Sequence, residues 1–105
     1  MIRQDNPIIF SYLETLKNRL FKIIPLFEEN NEGIYKYIDS LLFELYGMIY
    51  VVEGFEDNSM FLSLIATLES LLDESLVAEY NIPLIRREVF KCLSIIKKMQ
   101  QKVGE

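Results

Sequence analysis

The chain has no histidine and no tryptophan, one cysteine, and only four glycines and three prolines in 105 residues. Each shortage excludes something. Without histidine the usual general base, the activating base of a catalytic triad and the commonest metal ligand are all missing, so any enzymatic chemistry must run on carboxylates. A lone Cys92 rules out an internal disulfide framework; set in an apolar helical pattern, it reads as a small core residue in a reducing compartment. Scarce glycine and proline, with half the residues apolar, exclude both a disordered chain and a loop-rich scaffold. No uncharged apolar run reaches the roughly 20 residues of a membrane-spanning helix. The longest, 45–52 and 60–68, have the lengths of buried helix segments. The opening MIRQDNP lacks the charged-then-apolar order of a signal peptide. The expectation is a soluble, cytoplasmic protein forming a single helical domain over 1–105.

What is present is helical periodicity, in four segments. Asn6 can cap the first and Pro7 fits its first position, where a missing N–H costs nothing. Ile9, Tyr12, Leu13, Leu16, Leu20, Ile23, Ile24 and Phe27 then recur at helical spacing, and Pro25 should kink or end the helix. Residues 28–33 read as a connection. The second helix is predicted over 34–53, with Gly54 at its C-terminal cap and a core stripe of Ile34, Ile38, Leu41, Leu45, Met48 and Val52. Between Leu41 and Val52 only Glu44 is charged, so this helix is too apolar for an ordinary amphipath. Gly47 inside it points to close backbone approach. Residues 55–59 read as a polar connection, with Asn58 or Ser59 capping a third helix whose inward stripe runs from Phe61 and Leu62 to Leu76 and Val77. Asn81 and Pro83 mark the turn into a fourth helix, with Ile85, Val89, Leu93, Ile96 and Met99 inward and Gly104 at its end. Short connections force antiparallel neighbours, so the predicted fold is an all-α, antiparallel up-down four-helix bundle.

Charge is unevenly distributed. Residues 28–79 hold twelve acids against Lys36 alone, a balance of −11. Residues 1–27 carry four bases against two acids, and residues 80–105 six against two. Two readings stay open: the basic ends neutralise the middle internally, or the acidic middle steers a cationic partner. Aromatic residues sharpen the second. Phe43 and Tyr50, at i and i+7, lie opposite the core stripe of the second helix, with Asp39, Glu44, Tyr46 and Glu53 around them. Glu69 and Asp73 fall on the outer side of the third helix. Aromatic anchors inside an acidic rim have the composition of a protein-binding hot spot. The alternative is that a wide core absorbs Phe43 and Tyr46.

Two further patterns carry chemistry. Glu28-Glu29-Asn30-Asn31-Glu32 followed by Glu53 and Glu56 resembles the Mg²⁺ site of all-α nucleoside triphosphate pyrophosphatases of the MazG type. That resemblance implies metal ligation by Glu28, Glu29, Glu32, Glu53 and Glu56. Here Glu56 stands where the family usually has aspartate, and the first triad falls where a helix should be ending. Arg87, Lys91, Lys98 and Lys102 form a basic side of the fourth helix, but a net charge of −5 opposes direct nucleic-acid binding.

In size, charge and helical architecture the whole chain resembles bacterial immunity proteins, the antitoxins of bacteriocins and of contact-dependent or polymorphic toxin systems. It lacks the adjacent tyrosines of the nuclease-colicin immunity family, Tyr35-Lys36-Tyr37 being the nearest approach. The resemblance implies a non-enzymatic, cofactor-free inhibitor. Its acidic face would occupy the basic cleft of a toxin or nuclease, anchored by Phe43 or Tyr50. The other readings are Mg²⁺-dependent nucleotide hydrolysis and a homodimer formed through the second helix.

Overall fold

In a computed structural model describing residues 1–103, the chain forms an all-α bundle of α1 (Pro7–Phe21), α2 (Ile23–Glu28), α3 (Ile34–Val51), α4 (Ser59–Glu74) and α5 (Ile82–Val103). The predicted first helix is kinked into α1 and α2, and the residue responsible is Pro25. A proline ring conflicts with the carbonyl four residues earlier and supplies no N–H to it. That carbonyl belongs to Phe21, where α1 stops, and the helix resumes at Ile23. Caps fix the other starts. The Asn6 side chain accepts from the Ile8 N–H at 2.9 Å, Asn58 from Phe61 at 3.0 Å and Asn81 from Leu84 at 3.2 Å. Each satisfies one of the orphan donors of a first turn. The predicted stop at Gly104 lies outside the described residues.

Counting α1 and α2 as one arm, four helical arms alternate up and down. α5 packs against α1, α2 and α4, and α3 packs against α4 and α2. The fourth side, between α1 and α3, is wider: no Cα of one helix comes within 8 Å of the other. Long side chains close it. Tyr37 donates to the Arg19 carbonyl at 2.7 Å, and Arg19 reaches Glu44 at 2.6 Å. The core draws on every arm, with Leu13, Leu16 and Leu20 from α1, Ile38, Leu41 and Leu45 from α3, Leu64 and Leu68 from α4, and Val89 and Ile96 from α5.

The α3–α4 connection departs from the polar loop the sequence suggests. α3 ends two residues early, at Val51. Val52 turns extended and is buried against the N-terminal segment, where Ile2 donates to Val51 at 2.8 Å and accepts from Glu53 at 2.7 Å. The Gln4 side chain continues the strap, donating to the Glu53 carbonyl at 3.0 Å and accepting from Asn58 at 2.9 Å. Phe55, in a short 3-10 turn (Phe55–Asp57), is buried and stacks on Phe61 at 4.3 Å between ring centroids. An aromatic at a connection is thus part of the core, which a polarity reading misses. Gly54 does occupy the left-handed region, at φ 84°, but it starts this turn and does not cap α3 directly.

At the far end of α4 the inward stripe also stops early. Leu76 and Val77 lie beyond the helix, at 68% and 43% exposure, and Leu62 is exposed on its outer flank. The helical phase that would have turned them inward is lost at Ser75, whose hydroxyl donates to the Leu72 carbonyl.

Candidate functional site

α3 advances 100° per residue, so Ile38, Leu41 and Leu45 face the core while Lys36, Phe43, Gly47 and Tyr50 lie diametrically outward. Phe43 and Tyr50 are 79% and 80% exposed. The wide core does not absorb Phe43, and it leaves Tyr46 40% exposed. A Cβ added at Gly47 meets nothing within 4 Å, so nothing in the bundle itself approaches this backbone, contrary to the expectation from its helical position.

Tyr46 sits on the flank toward α4. Its hydroxyl donates to Glu69 Oε2 at 2.8 Å, and that carboxylate raises the phenol pKa above its ordinary value. The bond ties the outer faces of α3 and α4 into one surface. Asp39 lies near enough to add to the same shift. By helical phase Asp73 follows Glu69 by one turn on α4. Leu62, exposed, lies two turns before Glu69 on the same flank.

Acidic residues of the middle segment fare differently from one another. Glu44 projects from the other side of α3, toward α1, where Arg19 holds it and Tyr12 lies against it. It is not part of the outer face, contrary to the sequence expectation. The Tyr12 hydroxyl is buried without a hydrogen-bond partner of good geometry. Burial first, and the Glu44 charge second, push its pKa up. Glu28 is paired with Arg86 of α5. Among the described residues, no other acid of 28–79 forms an ion pair. Internal compensation by the basic ends is therefore real but confined to Glu28 and Glu44. Among the described residues Asp39, Glu69 and Asp73 are left without an ion pair on the outer face. Glu53 is exposed in the strapped connection beyond the C-terminal end of α3.

The carboxylate set of the pyrophosphatase-like pattern is not brought together. Glu28, Glu29 and Glu32 precede α3, whereas Glu53 and Glu56 follow it. Eighteen helical residues separate the two groups by about 27 Å, far beyond a shared ion. Among the described residues no three Asp, Glu or Cys side chains converge as metal ligands. Cys92 is buried, and burial, helped by Glu88, pushes its thiol up to about 12. A cavity of about 150 Å³ opens beside the N-terminal strap, lined by Gln4, Ile9, Phe55, Met60 and Met99 among others. None of the described helices is long and apolar enough to cross a membrane.

A second aromatic surface was not anticipated. Phe21 of α1 and Phe90 of α5 meet edge to face at 6.2 Å, and both are about half exposed. Helical phase alone marks them, since each falls on the flank of its helix and not on its core stripe. No protein-family model, no curated protein and no solved structure matches the chain.

Proposed function

We propose that the outer face of α3 and α4 docks a cationic protein and that the chain acts as a stoichiometric inhibitor of the immunity type. One observation carries this reading: Phe43 and Tyr50 stand about four-fifths exposed on the same surface as Asp39, Glu69 and Asp73, none of which forms an ion pair among the described residues. Two large rings left in water serve no purpose in the bundle, and uncompensated carboxylates beside them would meet the basic cleft of a toxin or nuclease. Rings supply desolvated anchors; the acids supply approach rate and partner choice. Glu44, held by Arg19, has no part in it. Lys36, on the same outward stripe, is the one base that a cationic partner must avoid.

The test compares affinity capture from the native host at low salt by the wild-type chain, by Phe43→Ala/Tyr50→Ala and by Asp39→Lys/Asp73→Lys. A cationic protein should be retained by the wild type, released by salt, and lost from both variants. The isolated partner's activity should fall to zero at one equivalent of the wild-type chain. Retention of the same protein by both variants, or a captured partner whose activity is unchanged, would sink the proposal.

A further inference from the structure

The chain carries a second unopposed charge field, and its geometry relative to the first suggests what covers it. On α5, Arg87, Lys91 and Lys98 form one outward stripe, all exposed. None of them has an acidic partner among the described residues. The only acid of the helix, Glu88, projects from the flank toward α4 and is half-buried. Phe90 and Phe21 add exposed apolar surface along the seam with α1.

α3 and α5 occupy diagonal corners of the bundle, since α5 packs on α1 and α4 and no Cα of α3 lies within 8 Å of it. Their outward faces therefore point in opposite directions. The acidic face and the basic stripe cannot neutralise each other within one molecule. Between two molecules they can. Lys91 and Lys98 are spaced seven residues apart, as are Phe43 and Tyr50, and both intervals cover about 10.5 Å of helix. An α5 laid along α3 brings each ammonium over one exposed ring, a cation–π contact. In the same arrangement Arg87 lies one turn before Lys91, as Asp39 lies one turn before Phe43.

We propose that the basic α5 stripe of one copy docks on the α3–α4 outer face of a second copy, so that the chain self-associates head to tail. This rests on the reading of the α3–α4 face as a docking surface and adds a consequence for it. The α5 stripe imitates the cationic partner, so self-association and partner binding compete for one face. Because the two surfaces differ, the contact is heterologous and need not close at two copies. Net charge opposes nucleic acid at the same stripe, whereas a second copy presents a field of opposite sign.

Sedimentation velocity over a concentration series tests it, with two double variants made only at exposed positions. Lys91→Glu/Lys98→Glu keeps the acidic face and loses the basic one; Phe43→Ala/Tyr50→Ala does the reverse. Thermal melts by circular dichroism establish that both fold. At low salt the wild type should sediment faster as concentration rises and return to monomer at high salt. Each variant alone should remain a monomer. Their equimolar mixture should form a heterodimer and nothing larger, because each partner keeps one usable face. A wild type monomeric at every concentration in low salt overturns the proposal, as does a mixture that fails to associate. So does RNA binding by the wild type, lost in the lysine variant, without self-association. Polylysine binding separates this from the underlying reading. If the wild type binds polylysine through Phe43 and Tyr50 yet never self-associates, only the self-docking proposal falls. If it does neither, both fall.

Discussion

The two polar sides of α3 end differently although they draw on the same stretch of sequence. Toward α1, Glu44 takes a guanidinium at 2.6 Å and Tyr37 donates to a carbonyl at 2.7 Å. Long polar side chains there do the work that close backbone packing does on the other three sides. Toward solvent and α4, Phe43, Tyr50 and Asp39 meet no counterpart in the bundle. Phe43 and Glu44 are adjacent in sequence, yet 100° of helix separates a fully offered ring from a neutralised acid. A charge count along the chain cannot tell these apart. What decides is whether the neighbouring helix brings a base to that azimuth, and α1 brings Arg19 while α4 brings Glu69.

The largest expected effect separates the inner side of α3 from its outer side. Leu45→Ala removes a fully buried side chain and should cost about 2–5 kcal/mol in urea unfolding. Phe43→Ala and Tyr50→Ala should each stay within about 0.5 kcal/mol of wild type. A Phe43→Ala loss as large as that of Leu45→Ala would mean the ring is packed, and the comparison would collapse.

Next comes the strapped end of the same helix. Gly54 adopts φ 84°, and a Cβ there would run into the Gln4 amide that holds the strap. Gly54→Ala should therefore destabilise by about 1–3 kcal/mol. Gly54→Asn should recover part of the loss, since asparagine tolerates the left-handed region. Hydrogen exchange at the Glu53 amide, which donates to Ile2, should rise in both.

The closed side of α3 yields a smaller effect. Arg19→Ala leaves Glu44 without its partner, and because both side chains are more than a third exposed the cost should be only about 1 kcal/mol. Lys36→Ala on the open side should cost nothing measurable by the same unfolding assay. pH reports on this side too. Burial raises the pKa of Tyr12 and of Tyr37 above the ordinary 10, so the fold favours their neutral phenols. Their contribution is fully present below pH 10, where unfolded tyrosines are also neutral. It is lost as pH rises towards the folded values, because the unfolded chain then releases protons that the native state retains. Denaturation midpoints should fall with alkaline pH as tyrosinate absorbance rises, and midpoints flat across that range would mean the α1–α3 side is wet and open.

Periodicity was enough for the architecture. Stripes such as Ile34–Ile38–Leu41–Leu45, the caps at Asn6 and Asn58 and the turn at Asn81 are local, and local rules place them. Pro25 marked the kink for the same reason. Illegible features depend on residues distant in sequence. Val52 leaves the helix because Ile2 pairs with it; Phe55 enters the core because Phe61 is there to stack on; Glu44 is lost to the outer face because Arg19 lies opposite. Likewise the glutamates 28, 29, 32, 53 and 56 share a pattern on paper, yet the rigid length of α3 keeps them apart. For the outer face, helical phase sets Phe43 and Tyr50 opposite the core stripe and Tyr46 on its flank, but whether each ring is exposed depends on how wide the assembled core is, which phase does not give; the core leaves Tyr46 40% exposed.

The smallest effect bears most directly on what the open side of α3 is for. Glycine in a helix interior costs about 0.5–1 kcal/mol relative to alanine, and at Gly47 no neighbour forbids a methyl group. Gly47→Ala should therefore stabilise the isolated chain by that amount, read as a higher denaturation midpoint with an unchanged slope. Gly47 lies between Phe43 and Tyr50 on the outward stripe, where it leaves a notch one side chain deep. If a helix docks there, the added methyl fills the notch and holds the two backbones apart, so the same variant should bind or self-associate more weakly while folding more stably. Stability and association moving in opposite directions would place the reason for this glycine outside the bundle. Both rising together would show that the notch is unused and that only the two rings define the face.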